Sequence, residues 1–464
     1  MFHRTGFRDL RFTFSCCIAL GALVSGAARA SEASVHALPS IVRSPADGAS
    51  ALPSSSDRAI AGLAMPDAFA SSGSVWSSQK VVIDDGAQGD FFGWAVGISG
   101  HTAIVGAYGV TVGNYQQQGL AYIFTESDGV WTLAATLVAN DGYAFDTFGS
   151  AVAISNGVAA VGAYQAQGGR GYVYVFTGSG TNWTRKAKLS TGTTAEECLG
   201  WSVGVSDQTV LAGAPFAEID GIQVGAVYAY APIDGVWSET QQILASDAGL
   251  GDFFGNAIAT DGPNIVIGAD GAQIGNNSTQ GAAYVFKNSG GTWTQEAKLV
   301  ADDGVAFDNF GRSVAISGST ILVGAPYVVI DGNTYEGAAY VFDGPGADWM
   351  QSQKLTAADG TVNTYFGWSV AVAGDNALVG ATSYYDPDTG AVYAFARSQG
   401  QWTQTQELVS GDGPDPEFFG WSLGLSDTSA LIGEPLAKVG DNYDQGVSYF
   451  YSAPADVIFA SGFE

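Results

Sequence analysis

The sequence predicts an all-β fold, a seven-bladed propeller of four-stranded antiparallel blades. Three observations carry that expectation. A Phe-Gly step, or its equivalent, recurs with its glycine at Gly93, Gly149, Gly200, Gly255, Gly311, Gly367 and Gly420. A tryptophan precedes each one, at Trp76, Trp131, Trp183, Trp237, Trp293, Trp349 and Trp402. Both series step by 51 to 56 residues, a period that marks a propeller, solenoid or array. Each period also holds four short runs of β-forming residues between glycine-rich turns.

The copy at Gly311 shows the four strands most plainly. Ser313 to Ser317 alternates, with Val314 and Ile316 on one side. Ile321 to Ala325 is a continuous apolar run, as expected of a strand buried on both faces. Ala338 to Phe342 is the third strand. Trp349 to Leu355 is the fourth, and its interleaved polar residues suit an outer edge. The phase of the repeat predicts how the ring closes. The periodic region opens on a fourth-strand segment, Trp76 to Ile83, and ends three strands after Gly420. The N-terminal strand is therefore expected to complete the last blade, which removes the interfaces an open array would expose. Asp456 to Phe463 is the competing segment, either as that strand or as an export or sorting tail.

Phe310-Gly311 is followed thirteen residues later by Gly324-Ala325-Pro326. This pattern resembles the FG-GAP repeat family, which includes the propeller head of integrin α subunits and many secreted bacterial proteins. The resemblance spans roughly residues 75 to 452. It implies a secreted or cell-surface, non-catalytic module that binds an extracellular protein or glycan, with adhesion as one such role. Integrin-type members carry a calcium loop, D-x-D/N-x-D-G-x-x-D, between the first and second strands. Here those turns are short, as in Ser317-Gly318-Ser319-Thr320, so the family's calcium sites do not carry over and no cofactor is required. Weak calcium binding is left to the acidic loops, with Asp85, Asp90, Asp303, Asp308, Asp386 and Asp388 as the candidate ligands.

Composition narrows the setting. Arg4, Arg8 and Arg11, the apolar run Phe12 to Val24 and the small residues around Ala28-Arg29-Ala30 read as a signal peptide over residues 1–30. Cleavage there leaves Cys198 without another cysteine in the chain. Residues 31–74, rich in Ser, Ala and Pro, read as a flexible linker, 75–452 as the propeller and 453–464 as a tail. The formal net charge of −28 disfavours nucleic acid and anionic membrane as partners and favours a soluble monomer.

Two sets of residues stand out as candidate binding groups. The residue after the Phe-Gly step is Trp94, Trp201, Trp368 and Trp421 in four repeats, and Ser150, Asn256 and Arg312 in the others. It begins the innermost strand near one mouth of the central channel, where indoles can pack between blades or stack on a sugar. The second-to-third and fourth-to-first loops share that face. They carry Tyr108, Tyr327, Tyr335, Tyr384 and Tyr443 and vary most between repeats, so recognition is expected there. The spaced acids of the fourth-to-first loops, such as Asp141/Asp146 and Asp247/Asp252, read chiefly as turn formers. Catalysis has little to draw on. The three histidines are His3, His36 and His101, nucleophile-elbow and zinc-helix motifs are absent, and the acids repeat around the ring. A secreted hydrolase with a carboxylate site is the remaining alternative.

Overall fold

The second strand of each repeat is short, apolar and rich in Ala and Gly, and it is buried almost end to end. Val158–Ala163 and Thr320–Ala325 are buried throughout. A computed structural model describes residues 60–63, 77–344, 348–382, 390–410 and 418–452. In it the four strands of a repeat form one antiparallel sheet in chain order. Blade 5, for example, is Ser313–Ser317, Thr320–Ala325, Ala338–Asp343 and Met350–Leu355. Six blades follow this plan. The seventh takes Ser422–Leu425, Ser429–Glu434 and Val447–Ser452 from the C-terminal side and Ser77–Ile83 from the N-terminal side. Ser78 lies opposite Tyr451 and Lys80 opposite Tyr449. A fifth strand, Ile60–Leu63, pairs outside it with Lys80 to Ile83, within the stretch that composition reads as linker.

The first strand of each blade lies against the first strand of the next, and Ser422–Leu425 of blade 7 lies against Ala95–Ser99 of blade 1. The first strands therefore ring the axis. Paired glycines explain both halves of the sequence signature. A Cβ on Gly106 of blade 1 would stand 2.0 Å from the Gly149 carbonyl oxygen of blade 2. The same contact joins Gly324 to Gly367, at 2.0 Å, and Gly433 of blade 7 to Gly93 of blade 1, at 2.1 Å. Backbone meets backbone there without room for a side chain.

The residue before each Phe-Gly step has positive φ in all seven copies: Phe91, Thr147, Cys198, Phe253, Asn309, Tyr365 and Phe418 lie between 53° and 59°. Such a conformation is unfavourable for bulky residues. It is held by amide bonds across the blade boundary, including Phe91 to Asp444 and Tyr365 to Tyr335. Cys198 is fully buried and disulfide-bonded.

The outer tryptophans divide into two groups. Trp131, Trp293 and Trp402 are buried, whereas Trp183, Trp237 and Trp349 are half-buried; Trp76 lies outside the described residues. The difference follows one position on the fourth strand of the preceding blade. Gln79, Gln241 and Gln353 each bond both the backbone N–H and C=O of the buried tryptophan, at 2.8–2.9 Å. Ala135, Ala187 and Ala297 occupy the equivalent register before the half-buried ones. Trp183, Trp237 and Trp349 still pack against blade cores, so all six described outer tryptophans pack, and the neighbouring blade decides which three are fully covered.

Candidate functional site

The face carrying the second-to-third and fourth-to-first loops is more regular than the sequence suggests. In blades 1, 4, 5 and 7 the second-to-third loop makes the same small bridge, Val112 to Tyr115, Ile274 to Asn277, Ile330 to Asn333 and Val439 to Asn442. A buried Gln or Glu then anchors it. Gln118 donates to Ala139 O at 2.6 Å and Gln445 to Ile83 O at 2.8 Å, while Asn333 donates to Glu336 at 2.8 Å. Each loop also accepts amides from the following blade's entry loop, as Gln116 O does from Phe145. These four loops are staples between blades. Blade 2 instead has a tight turn, Ala166–Gly169, with Gln167 and Gly168 in the left-handed region, and blade 3 a two-stranded ribbon, Glu218–Ile219 with Ile222–Gln223.

Most of the spaced acids are spent on this stapling. The second acid caps its own turn: Ala87 N donates to Asp90 at 2.8 Å and Val305 N to Asp308 at 2.7 Å. The first acid grips the next blade. Asp247 accepts from Tyr284 at 3.0 Å and Lys298 at 2.6 Å, Asp303 from Lys354 at 2.7 Å, and Asp141 from Arg185 and Lys188. Asp85 stands in the corresponding loop before blade 1. Asp386, Asp388 and Tyr384 fall outside the described residues. Among the described residues no group of three or more His, Cys, Asp or Glu side chains is arranged to hold a metal ion.

The Asp303 carboxyl illustrates the electrostatics. Burial resists its ionisation, but the Lys354 ammonium, with hydrogen bonds from Tyr340 and the backbone, outweighs burial and holds the carboxyl below its ordinary range. A depressed native pKa stabilises the fold above the unfolded carboxylate range, and that stability is lost as pH falls through the native value. Because Asp303 is about half exposed, Asp303→Asn should cost only about 0.5–1 kcal/mol at pH 7. The deficit should shrink as pH falls from 7 towards ~2 and the carboxyl takes up its proton. Urea midpoints of the two proteins at both pH values check this.

The four mouth tryptophans are half-buried. Three of them form a continuous arc over blades 6, 7 and 1, with ring centroids 5.0 Å apart for Trp368 and Trp421 and 4.6 Å for Trp421 and Trp94. Phe418 stacks on Trp421, and Tyr108 lies 4.7 Å from Trp94. Burial, with Tyr164 and Asp444 adding to it, raises the Tyr108 phenol well above its ordinary range and keeps it neutral. The arc ends on Arg312, whose guanidinium lies 4.8 Å over Trp368 and 3.7 Å from the buried Asp270. Burial raises the Asp270 carboxyl even with Arg312 beside it. Trp201 stands apart in blade 3, packed edge-on against Tyr164 and Phe216.

Six segments match the family model for the FG-GAP repeat: 76–124, 131–176, 237–286, 293–342, 349–395 and 402–451. Together they cover more than half of the chain. The protein belongs to the FG-GAP repeat family. Each matched FG-GAP segment runs from an outer-strand tryptophan to the third strand of the following sheet. The copy from Trp183 to Tyr230 lies outside the matches, and it is the one whose Phe-Gly step has become Leu199-Gly200, preceded by Glu197-Cys198. The structure restores it as blade 3, with the same glycine contact from Gly213 to Gly255 O at 2.2 Å.

Outward exposure separates the predicted tyrosines. Tyr335 and Tyr443 are exposed, while Tyr108 and Tyr327 are half-buried within aromatic clusters. The sequence reading missed further exposed aromatics on the same loops: Tyr115, Tyr143, Phe145 and Phe307. Their signal was present as apolar residues beside Gly and Asp in loops that have no core to fill.

Proposed function

We propose that this FG-GAP propeller is an exported, non-catalytic recognition module that holds an extracellular macromolecule on its loop face, as an adhesion protein would. One observation carries the reading: Tyr143 and Phe307, 63% and 65% exposed, lead a set of solvent-facing aromatics there that also includes Tyr115, Tyr335 and Tyr443. Rigid loops presenting aromatics give contact area at little entropic cost. FG-GAP repeats are typically extracellular, and among the described residues no helix is long and apolar enough to cross a membrane. The ion pairing and turn capping of the loop acids support a non-catalytic role. The net charge of −28 favours a neutral or basic partner.

A second reading draws on the arc of Trp368, Trp421 and Trp94, which offers stacking surfaces for a glycan at the channel mouth. The two readings separate in one experiment. The wild type, a Tyr115/Tyr143/Phe307/Tyr443→Ser variant and a Trp94/Trp368/Trp421→Ala variant are screened against extracellular protein extracts and a glycan array. The main reading expects a protein ligand whose binding weakens at least tenfold in the loop variant alone. Loss in the tryptophan variant alone supports the sugar reading, and retention in both removes this face as the site.

A further inference from the structure

The opposite face, formed by the tight turns between first and second strands, holds a site of its own. At three blade boundaries these turns are tied together. Ser206 Oγ donates to Gly262 O, Gly318 N to Asp261 at 2.6 Å, and Gly374 N to Ser317 Oγ at 3.1 Å. The other four boundaries, among them that between blades 1 and 2, lack such a bond among the described residues. At the boundary between blades 1 and 2 a cleft of about 380 Å³ opens, lined by Ser99, Thr102, Ile154, Asn156, Ser179 and Trp183.

Two independent features converge on this cleft. The first is Ala135, which stands where other blades place the glutamine that pins the next tryptophan, so Trp183 stays half-buried beside the opening. The second is polar supply. The side chains of Ser99, Thr102, Asn156 and Ser179 make no hydrogen bond among the described residues, so three hydroxyls and one amide remain available within one small volume. No charged side chain lines it. An ionic ligand would find no counter-charge, and an apolar one would leave the hydroxyls unpaired.

We infer that the cleft between blades 1 and 2 binds a neutral sugar ring, with the Trp183 indole against the ring's apolar face and Ser99, Thr102, Asn156 and Ser179 bonding its hydroxyls. The volume falls at the small end of ligand sites, about 300–1,000 Å³, which limits the bound part to one or two rings. The site is separate from the loop face and does not depend on the function proposed for it.

Saturation-transfer NMR tests the assignment with glucose, galactose, mannose, N-acetylglucosamine, maltose and cellobiose as probes. Ala135→Gln restores the pinning side chain that Gln79, Gln241 and Gln353 supply elsewhere. It is expected to raise the melting midpoint slightly while closing the cleft. At least one sugar should give transfer with the wild type. Its signal should fall at least tenfold in both Trp183→Ala and Ala135→Gln and persist in Trp421→Ala. Silence from every sugar, retention in Ala135→Gln, or loss in Trp421→Ala overturns the assignment.

Discussion

Gly324→Ala should unfold the protein at temperatures where the wild type is intact. The added methyl would stand 2.0 Å from Gly367 O and 2.3 Å from Ser313 Oγ. The first obstacle is backbone of the neighbouring blade, so relief requires two blades to move apart. Changes that force packed backbone apart belong to the severe class of substitutions, roughly 4 kcal/mol or more. Gly318→Ala is the control. Gly318 sits in a tight turn at φ 57° with open space around the would-be methyl, so its cost is conformational only, about 1 kcal/mol. Thermal melts of the two variants side by side decide the matter. Equal midpoints would mean that the glycine contacts do not set blade spacing. Gly433→Ala, whose methyl would meet Gly93 O at 2.1 Å, should behave like Gly324→Ala.

Removing residues 1–83 is expected to have the second largest effect. The deletion takes away Val81, Val82 and Ile83, all buried, each worth about 1.5–3 kcal/mol in burial. It also removes Gln79, which pins Trp131 of blade 1, and the Ile83 carbonyl that Gln445 holds. The strand Val447–Ser452 would become a bare edge carrying Tyr449, Phe450 and Tyr451, a template for aggregation. The truncated protein should lose its cooperative melt and sediment as oligomers, and a synthetic Ser77–Ile83 peptide should restore the melt by adding as a strand. A truncated protein that melts like the full chain would instead favour Asp456 to Phe463 as the strand that fills the gap.

The sequence displayed the fold more fully than the site. Period, blade number and strand order were legible because every blade must solve the same packing problem with the same glycines and aromatics. Even the divergent copy at Leu199-Gly200 kept its glycine, the one residue the geometry does not release. Contacts across blade boundaries were hidden. The tryptophan and the glutamine that pins it lie on different blades, and a bulge at the same place in six blades, such as Val341/Phe342, breaks the two-residue rhythm that would have aligned them. The loops looked variable because their exposed residues change, while Asn333 with Glu336, and Asn442 with Gln445, repeat quietly inside them. Asp303 likewise read as a turn former or calcium ligand, and its pairing with Lys354 appears only once the strands bring the two together.

The seventh sheet joins Ser77–Ile83 to Val447–Ser452, so two strands near opposite ends of the sequence must find each other. A ribosome delivers one of them hundreds of residues before the other. Until the later strand emerges, six sheets can form but the seventh cannot, and the nascent polypeptide retains an unlatched seam. Products of premature termination would therefore carry that seam permanently, which makes them natural substrates for proteolysis rather than smaller working versions of the wheel.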